Sequence, residues 1–254
     1  MVVMLLKRCQ DRLTGSDIPA GAFTKVTHLE ISSLSVPLEQ AVSLTSQNLV
    51  MLDMSHSTNL KVPPNFGKDA KMKDLKHLYL SNCSLQDLSE SLGEMTNLVT
   101  LDVASNSLKR LPASFPSALE GLYVSDNQLT ELPVGLQSLT SMKMLDVTNN
   151  HNLRRLPPLL GANAQIRTVL ASCCNLVNGL PDSLFGSDTN LQLLSARSSH
   201  LSRLPANLGS ATSLTGYLSL GRNQLTSLPP SIAHATKIFG LSLDGNRDLK
   251  VLQP

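Results

Sequence analysis

The feature that most constrains this chain is a unit of 21 to 26 residues that recurs ten times. Each copy approximates the pattern LxxLxLxxN, as in LVTLDVASN from Leu98 and LEGLYVSDN from Leu119. Apolar residues alternate only within the short LxLx stretch and lose that period afterwards, which fits neither one continuous helix nor one continuous strand. Such a repeat predicts a chain of stacked copies of one small unit. The second leucine of the pattern marks each copy, and the ten markers are Leu29, Leu52, Leu78, Leu101, Leu122, Leu145, Val169, Leu194, Leu218 and Leu241.

The spacing of apolar residues also predicts the shape of one copy. The LxxLxLx stretch is a short strand, and the remaining residues form a turn and a helical or irregular return to the next strand. Apolar side chains from both parts point into the layer between strand and return. One copy cannot bury that side alone, whereas successive copies bury it against each other.

These motifs resemble those of leucine-rich repeat proteins, from about residue 24 to the C-terminus. The recurrent LP after the strand, as at Leu111 and Leu132, is similar to the typical intracellular class, found in Ras-pathway scaffolds and plant Ras-group proteins. One short copy looks more like a bacterial-effector repeat, and NLVNGLPDSLFG leans towards the plant type. The resemblance implies an α/β fold: a right-handed solenoid, or horseshoe, with a parallel concave sheet and short helical or irregular convex returns.

The predicted domain organisation is a capping segment over residues 1–23 and a solenoid of about ten units over residues 24–254. The segment MVVMLLKRCQDRL is expected to form a short amphipathic helix that covers the first unit, because terminal units need a cap. The last unit is incomplete, so either a partner or further sequence is expected to cover that end.

The ninth position of the pattern needs a polar side chain, because the chain turns there and its backbone groups need partners. Asparagine fills this slot in five copies: Asn106, Asn127, Asn150, Asn223 and Asn246. Cys83 and Cys174 occupy it in two others, and we interpret both as structural thiols. No zinc or disulfide framework is indicated by the cysteine spacing.

Enzymatic function is not predicted. The sequence contains no phosphate-binding loop, nucleophile elbow, zinc-binding HExxH or dinucleotide fingerprint. Aromatic residues are only 3% of the chain, and the net charge of +2 gives no long-range attraction to nucleic acid. The lysines of NFGKDAKMKDLK alternate with acids and are interpreted as a solvated return. We therefore predict no cofactor, no metal, no specific nucleic-acid motif and no membrane span.

The predicted binding surface is the column of residues that follows each marker, because these side chains alternate with the buried leucines and face solvent. In the first six copies it holds four acids and two tyrosines, which alternate from Asp53 to Asp146, and tyrosine is a frequent anchor of protein interfaces. We hypothesise that the column and its neighbours bind a basic segment of a protein partner. The candidate residues are Asp53, Tyr79, Asp102, Tyr123, Asp146, Met51, His77, Met144 and Tyr217.

The predicted function is a non-enzymatic protein-interaction module or scaffold, acting as a subunit of a larger intracellular assembly. One alternative is a regulator of a signalling enzyme such as a small GTPase or phosphatase; another is a repeat fragment of a longer receptor or effector. The start of the chain has too short an apolar run for a secretory signal, so a cytoplasmic location is predicted, with a mitochondrial presequence as the alternative.

Overall fold

The computed structural model describes residues 3–5, 25–32, 38–43, 49–58, 60–162 and 165–250. The chain divides into two compact units, Met1–Tyr123 and Val124–Pro254, here called unit 1 and unit 2. Both consist of three-residue strands that pair in parallel in chain order, each followed by a return of turns and short helices. The predicted leucine-rich repeat fold, with its parallel sheet and short convex returns, is confirmed.

The described residues of unit 1 include six parallel strands, each a partner of the next in sequence. The described parts of its returns include an α-helix, α1 (Leu38–Ser43), and the 3-10 helices Phe66–Lys68, Ala70–Met72 and Glu90–Glu94. The strands are β1 (Val3–Leu5), β2 (His28–Glu30), β3 (Met51–Asp53), β4 (His77–Tyr79), β5 (Thr100–Asp102) and β6 (Gly121–Tyr123).

Unit 2 contains five strands in the same parallel arrangement. They are β7 (Met144–Asp146), β8 (Thr168–Leu170), β9 (Leu193–Ser195), β10 (Tyr217–Ser219) and β11 (Gly240–Ser242). The 3-10 helices of its returns are Val134–Ser138, Leu160–Ala162, Asp182–Phe185, Leu208–Ser210 and Pro230–His234.

The marker residue lies at the centre of a strand in all ten copies, with its two neighbours on the opposite side of the backbone. Nine of the ten markers are fully buried, whereas Leu241 in β11 is 42% exposed. Leucines of the returns, such as Leu92 and Leu136, complete the core from the other side. The leucine spacing read from the sequence is therefore the spacing of a two-layer core.

The amino-terminal segment differs from the prediction of an amphipathic helix. Val3–Leu5 forms strand β1, which pairs in parallel with β2. The unpaired N–H and C=O groups along the edge of β2 favour an added strand over a helix at this position. The other residues of the predicted cap, and Leu34, lie outside the described residues.

The polar slot is buried and hydrogen-bonded as expected. Asn106 accepts the N–H groups of Cys83 and Leu85 at 3.0 and 2.9 Å, and its amide donates to the carbonyls of Leu80 and Val103. Asn150 and Asn223 make the same kind of contacts within unit 2. The residue before the slot has a positive φ in successive copies, among them Ser105, Asp126, Asn149 and Arg222, which turns the chain away from the strand.

Neighbouring returns touch through a recurrent Gly–Ser contact that the sequence analysis did not identify. The N–H of Gly67 donates to Ser91 Oγ at 2.9 Å, and the N–H of Gly161 donates to Ser183 Oγ at 3.0 Å. A Cβ at Gly161 would overlap the carbonyl oxygen of Ser183, so only glycine allows this approach of the two backbones.

Candidate functional site

The predicted column of acids and tyrosines lies on the solvent-facing side of the strands in unit 1. Parallel pairing places Asp53 beside Tyr79, Tyr79 beside Asp102, and Asp102 beside Tyr123. All four side chains are half-buried, and the marker leucines between them are sealed from solvent. The strands thus bring these four predicted residues together as one continuous stripe, here called the strand-face column.

Tyr79 lies at the centre of the strand-face column, between two carboxylates. Burial raises the pKa of its phenol, and the negative charges of Asp53 and Asp102 raise it further. The hydroxyl is therefore protonated at neutral pH and can both donate and accept a hydrogen bond. A half-buried ring with a polar tip is well suited to contact a partner surface.

The aspartates have a second role that the sequence analysis missed. Asp53 Oδ1 accepts the N–H of Ser55 at 2.8 Å, and Asp102 Oδ1 accepts the N–H of Ala104 at 2.9 Å. These bonds close the turn that follows each strand, as aspartate commonly does two residues before a turn N–H. The sequence did contain a signal for this role, because each of these aspartates ends a predicted strand and directly precedes a predicted turn. Each acid therefore stabilises the fold in addition to carrying charge.

His77 and Met51 lie beside the strand-face column, each two residues before the column residue of its own strand. The His77 ring stacks on Tyr79, with centroids 6.5 Å apart and planes 10° apart, and its Nδ1 is 3.1 Å from Thr100 Oγ1. Burial lowers the pKa of His77, and the positive charges of His28 and Lys76 lower it further. Met51 lies between His28 and His77 in register. The neutral imidazole thus supports the Tyr79 ring.

Tyr123 ends the column and lies against its own strand. A Cβ at Gly121 would stand 3.1 Å from the Tyr123 ring. The missing side chain at Gly121 therefore leaves room for the ring to lie along the strand, with one face towards solvent.

In unit 2 the predicted residues are more widely spread. Met144 and Asp146 belong to β7, where Asp146 Oδ1 closes a turn by accepting the N–H of Thr148 at 2.9 Å. Tyr217 in β10 is 55% exposed and meets Phe239, itself 76% exposed, in an edge-to-face contact with centroids 5.2 Å apart. Phe239 was not among the predicted residues, because it precedes its strand.

The other groups considered from the sequence have internal roles. Lys71 donates to the carbonyl oxygens of Val42 and Ser43 at the end of α1, and Lys68 pairs with Glu94 at 3.4 Å. The Cys83 thiol donates to the Met54 carbonyl oxygen at 3.2 Å, which agrees with a structural role.

Within the described ranges, no group of three or more His, Cys, Asp or Glu side chains could hold a metal ion. No helix in the same part of the chain has the length and hydropathy needed to cross a bilayer.

Comparison with known families agrees with this architecture. A family profile described as leucine rich repeat matches residues 96–151, and a second, described as leucine rich repeats in two copies, matches residues 73–115. The chain is a leucine-rich repeat protein. This leucine-rich repeat protein is 33% identical to rabbit (Oryctolagus cuniculus) fibromodulin over 76 residues. The aligned residues cover 30% of this chain and 50% of fibromodulin.

A second relative and two solved structures extend the comparison. Podocan from Mus musculus is 29% identical over 113 residues, which cover 43% of this chain and 18% of podocan. The Toll–Spatzle complex of Drosophila matches with a TM-score of 0.72 and 24% identity, over 87% of this chain and 30% of that one. A second structure is the ectodomain of the Arabidopsis thaliana membrane receptor kinase GASSHO1/SCHENGEN3 in complex with CASPARIAN STRIP INTEGRITY FACTOR 2. It matches with a TM-score of 0.60 and 22% identity, over 90% of this chain and 30% of the receptor chain. The chain thus spans half or less of each of these proteins.

These relatives correct the predicted location. Fibromodulin and podocan are extracellular proteins, and the plant structure is an ectodomain, so the prediction of an intracellular, cytoplasmic protein is wrong. The prediction relied on the short apolar run at the start of the sequence and on the LP motif, and neither feature determines the compartment in which a repeat protein acts. The proposed likeness to Ras-pathway scaffolds, and with it a small GTPase as partner, has no support from these relatives.

Proposed function

We propose that this leucine-rich repeat protein is a non-enzymatic binding module that holds a protein ligand on its strand face. The observation that carries the proposal is the strand-face column of unit 1, in which two tyrosines and two aspartates stand half-exposed in register over a sealed leucine core. Support comes from two solved leucine-rich repeat structures, one in complex with Spatzle and the other in complex with CASPARIAN STRIP INTEGRITY FACTOR 2.

The charge of the column favours a ligand with a basic segment. Asp53 and Asp102 lie on either side of Tyr79, so an incoming lysine or arginine would find a carboxylate next to an aromatic face. Both attractions act on the same cation, because a guanidinium can pair with a carboxylate and stack on a ring. The turn hydrogen bonds of the two aspartates hold the carboxylates in place before the ligand arrives.

Met51 and His77 would form the apolar rim of this site. Met144, Asp146 and Tyr217 would provide the corresponding contacts in unit 2, the first two from half-buried strand positions and Tyr217 from an exposed one. The proposed mode of action is stable participation in a larger complex, which predicts co-purification of chain and ligand in a fixed ratio.

The test compares ligand capture by the wild-type chain, a Tyr79→Ala/Tyr123→Ala variant and a matched Val134→Ala/Leu159→Ala variant. The control removes two exposed apolar side chains from the returns of unit 2. Each protein is immobilised, exposed to tissue extract and culture medium, and the captured proteins are quantified by mass spectrometry. The main captured protein is then purified and titrated against all three chains.

Loss of two interface tyrosines should weaken binding by at least about 30-fold, or about 2 kcal/mol. The control should bind like the wild type, and raised salt should weaken the wild-type complex if the ligand segment is basic. Equal binding by the tyrosine variant and the wild type would show that the strand-face column is not the binding site.

A further inference from the structure

The arginines of the chain are concentrated in unit 2. Seven of the ten arginines lie there, and ten basic residues against seven acidic ones give unit 2 a formal charge of +3. Five of these arginines are exposed in the loops that leave the carboxyl ends of the strands, and four of the five line clefts there: Arg155, Arg203, Arg222 and Arg247. They form what is here called the arginine flank, separate from the strand face.

Two of the flank arginines line one open cleft of about 400 Å³. Arg155 comes from the loop after β7 and Arg203 from the loop after β9, with Asn178 and Gly179 between them from the loop after β8. Gly179 has a φ of +84°, and no atom lies within 4 Å of where its Cβ would stand. The middle loop therefore leaves an open gap between two guanidinium groups. One acid, Asp182, also lines the cleft.

The other two flank arginines line a second cleft of about 620 Å³. Arg222 and Arg247 meet there with His200 and Gln224, whose Nδ1 and Nε2 atoms are 3.2 Å apart, and with one acid, Asp248. His200 is three residues before Arg203 in the same loop. The two clefts thus adjoin through that loop.

The flank arginines differ from Arg197 and Arg110 in making no ion pair within the described residues, although Arg222 lies close enough to Asp244 to help lower the pKa of that carboxyl. Arg197 makes a bidentate pair with Asp244 at 2.7 and 2.8 Å, and Arg110 of unit 1 lies 3.6 Å from Asp87. No flank arginine has a carboxylate oxygen within 4 Å in the part of the chain that the structure describes. Their charge is therefore available to a ligand.

Their spacing suits an extended anion. Parallel strands lie about 4.8 Å apart, so the loops after β7 and β9 are separated by about 10 Å and those after β7 and β11 by about 19 Å. A guanidinium group binds sulfate, phosphate or carboxylate through two parallel N–H bonds. A linear chain with an anionic group at intervals of about 10 Å or less would meet several arginines at once.

We propose that the arginine flank of unit 2 binds a sulfated linear polysaccharide. The cleft linings favour this class over others. The second cleft is lined by Arg, Asn, Gln, Gly and His with one acid, and the first adds leucines and prolines to its two arginines and Asn178; no Phe, Tyr or Trp is among the lining residues described for either cleft. Protein ligands are usually anchored by aromatic or aliphatic side chains in pockets, and single-stranded nucleic acid by stacking on aromatic rings. The flank offers guanidinium and amide donors, which match sulfate esters and sugar hydroxyls.

The experiment measures binding of the full chain to size-defined heparin oligosaccharides by fluorescence anisotropy at 50 to 300 mM NaCl. The flank variant is Arg155→Ala/Arg203→Ala. The matched control is Arg167→Ala/Lys237→Ala, which also removes two exposed positive charges but from the segments that precede β8 and β11. Chemically desulfated heparin, poly-glutamate and an oligo-dT of equal charge serve as competitors.

The flank variant should bind at least tenfold more weakly at 150 mM NaCl, while the control stays within threefold of the wild type. The slope of log K against log salt should become shallower by about two in the flank variant, because two contacts with the polyanion are removed. Absence of wild-type binding, equal losses in both variants, or equal or stronger binding of any competitor would overturn the proposal. The Tyr79→Ala/Tyr123→Ala variant should retain polysaccharide binding, so this proposal and the strand-face proposal can fail separately.

Discussion

Replacement of Asn106 in the polar slot should destabilise unit 1 in proportion to the backbone groups left without a partner. Its side chain binds four fully buried groups, the N–H groups of Cys83 and Leu85 and the carbonyls of Leu80 and Val103, at 2.9 to 3.0 Å, and also the part-buried Ala104 carbonyl at 3.1 Å. Alanine would leave all four without the side chain that now binds them. At about 1 kcal/mol for each buried group, Asn106→Ala should lower the free energy of unfolding by about 4 kcal/mol.

Serine gives an intermediate case for which the chain itself provides a precedent. Ser199 occupies the same slot in unit 2, where its hydroxyl donates to the Ala171 carbonyl oxygen at 2.7 Å and accepts the Cys174 N–H at a long 3.4 Å. Asn106→Ser should therefore keep about half of the contacts and cost about 2 kcal/mol. The control Asn97→Ala removes one exposed bond, to the Lys73 carbonyl oxygen, and should cost less than about 1 kcal/mol.

The assay is urea unfolding followed by far-ultraviolet circular dichroism, with hydrogen exchange of the peptides that contain residues 80–106. Comparison of free energies requires an unchanged dependence on urea, because a partly unfolded solenoid would change that slope. Faster hydrogen exchange confined to these peptides would show that the loss of stability is local to the polar slot. A cost below about 1 kcal/mol for alanine, or a serine variant less stable than the alanine variant, would refute the assignment of stability to these bonds.

Two further predictions concern ionisable groups. Burial raises the pKa of the Cys83 thiol to about 11 and that of Cys174 to about 12, so both should resist alkylation in the native chain near neutral pH and react on unfolding, as peptide mapping by mass spectrometry would show. Rapid native labelling of either would contradict their structural role. Hydrogen bonds from Arg197 hold the pKa of Asp244 below its usual range, so this pair stabilises the fold above the unfolded pKa of about 3.9 and is lost as the pH falls through the lower folded value. Asp244→Asn should therefore flatten the acid limb of stability against pH, and an unchanged acid limb would argue against the pair.

The register of the repeats was predictable because packing alone determines it. A strand position that faces the core must be apolar in every copy, and Leu78 or Leu101 can be recognised from the spacing of its neighbours. The polar slot was predictable for a similar reason, since the turn repeats with the same unsatisfied backbone groups. Once the register is known, the resemblance to leucine-rich repeat proteins predicts how the repeats stack.

Other features were not predictable because they depend on groups outside the pattern. A short apolar run such as VML at Val3–Leu5 fits a strand or a helix equally well, and the partner strand decides between them. The contact of Gly161 with Ser183 recurs as Gly67 with Ser91, but it depends on how closely two neighbouring returns approach, which the leucine pattern does not specify. Tyr79, in contrast, could be placed at the strand face from the sequence, although its ligand cannot be named from there.

Position within the repeat explains how one chain can present two unrelated binding surfaces. A residue type that recurs one place after the marker produces a stripe on the strand face, as Asp53 and Asp102 do. A residue type that recurs in the loop after the strand produces a stripe along the flank, as Arg155 and Arg203 do. The leucine core is untouched by either choice, so the charge of one surface can change without repacking the core. On the strand face, a change at Asp53 or Asp102 also removes the hydrogen bond with which that side chain closes its turn. An acidic strand face in unit 1 and a basic flank in unit 2 are therefore compatible with a net charge of only +2, and total charge is a poor guide to what such a protein binds.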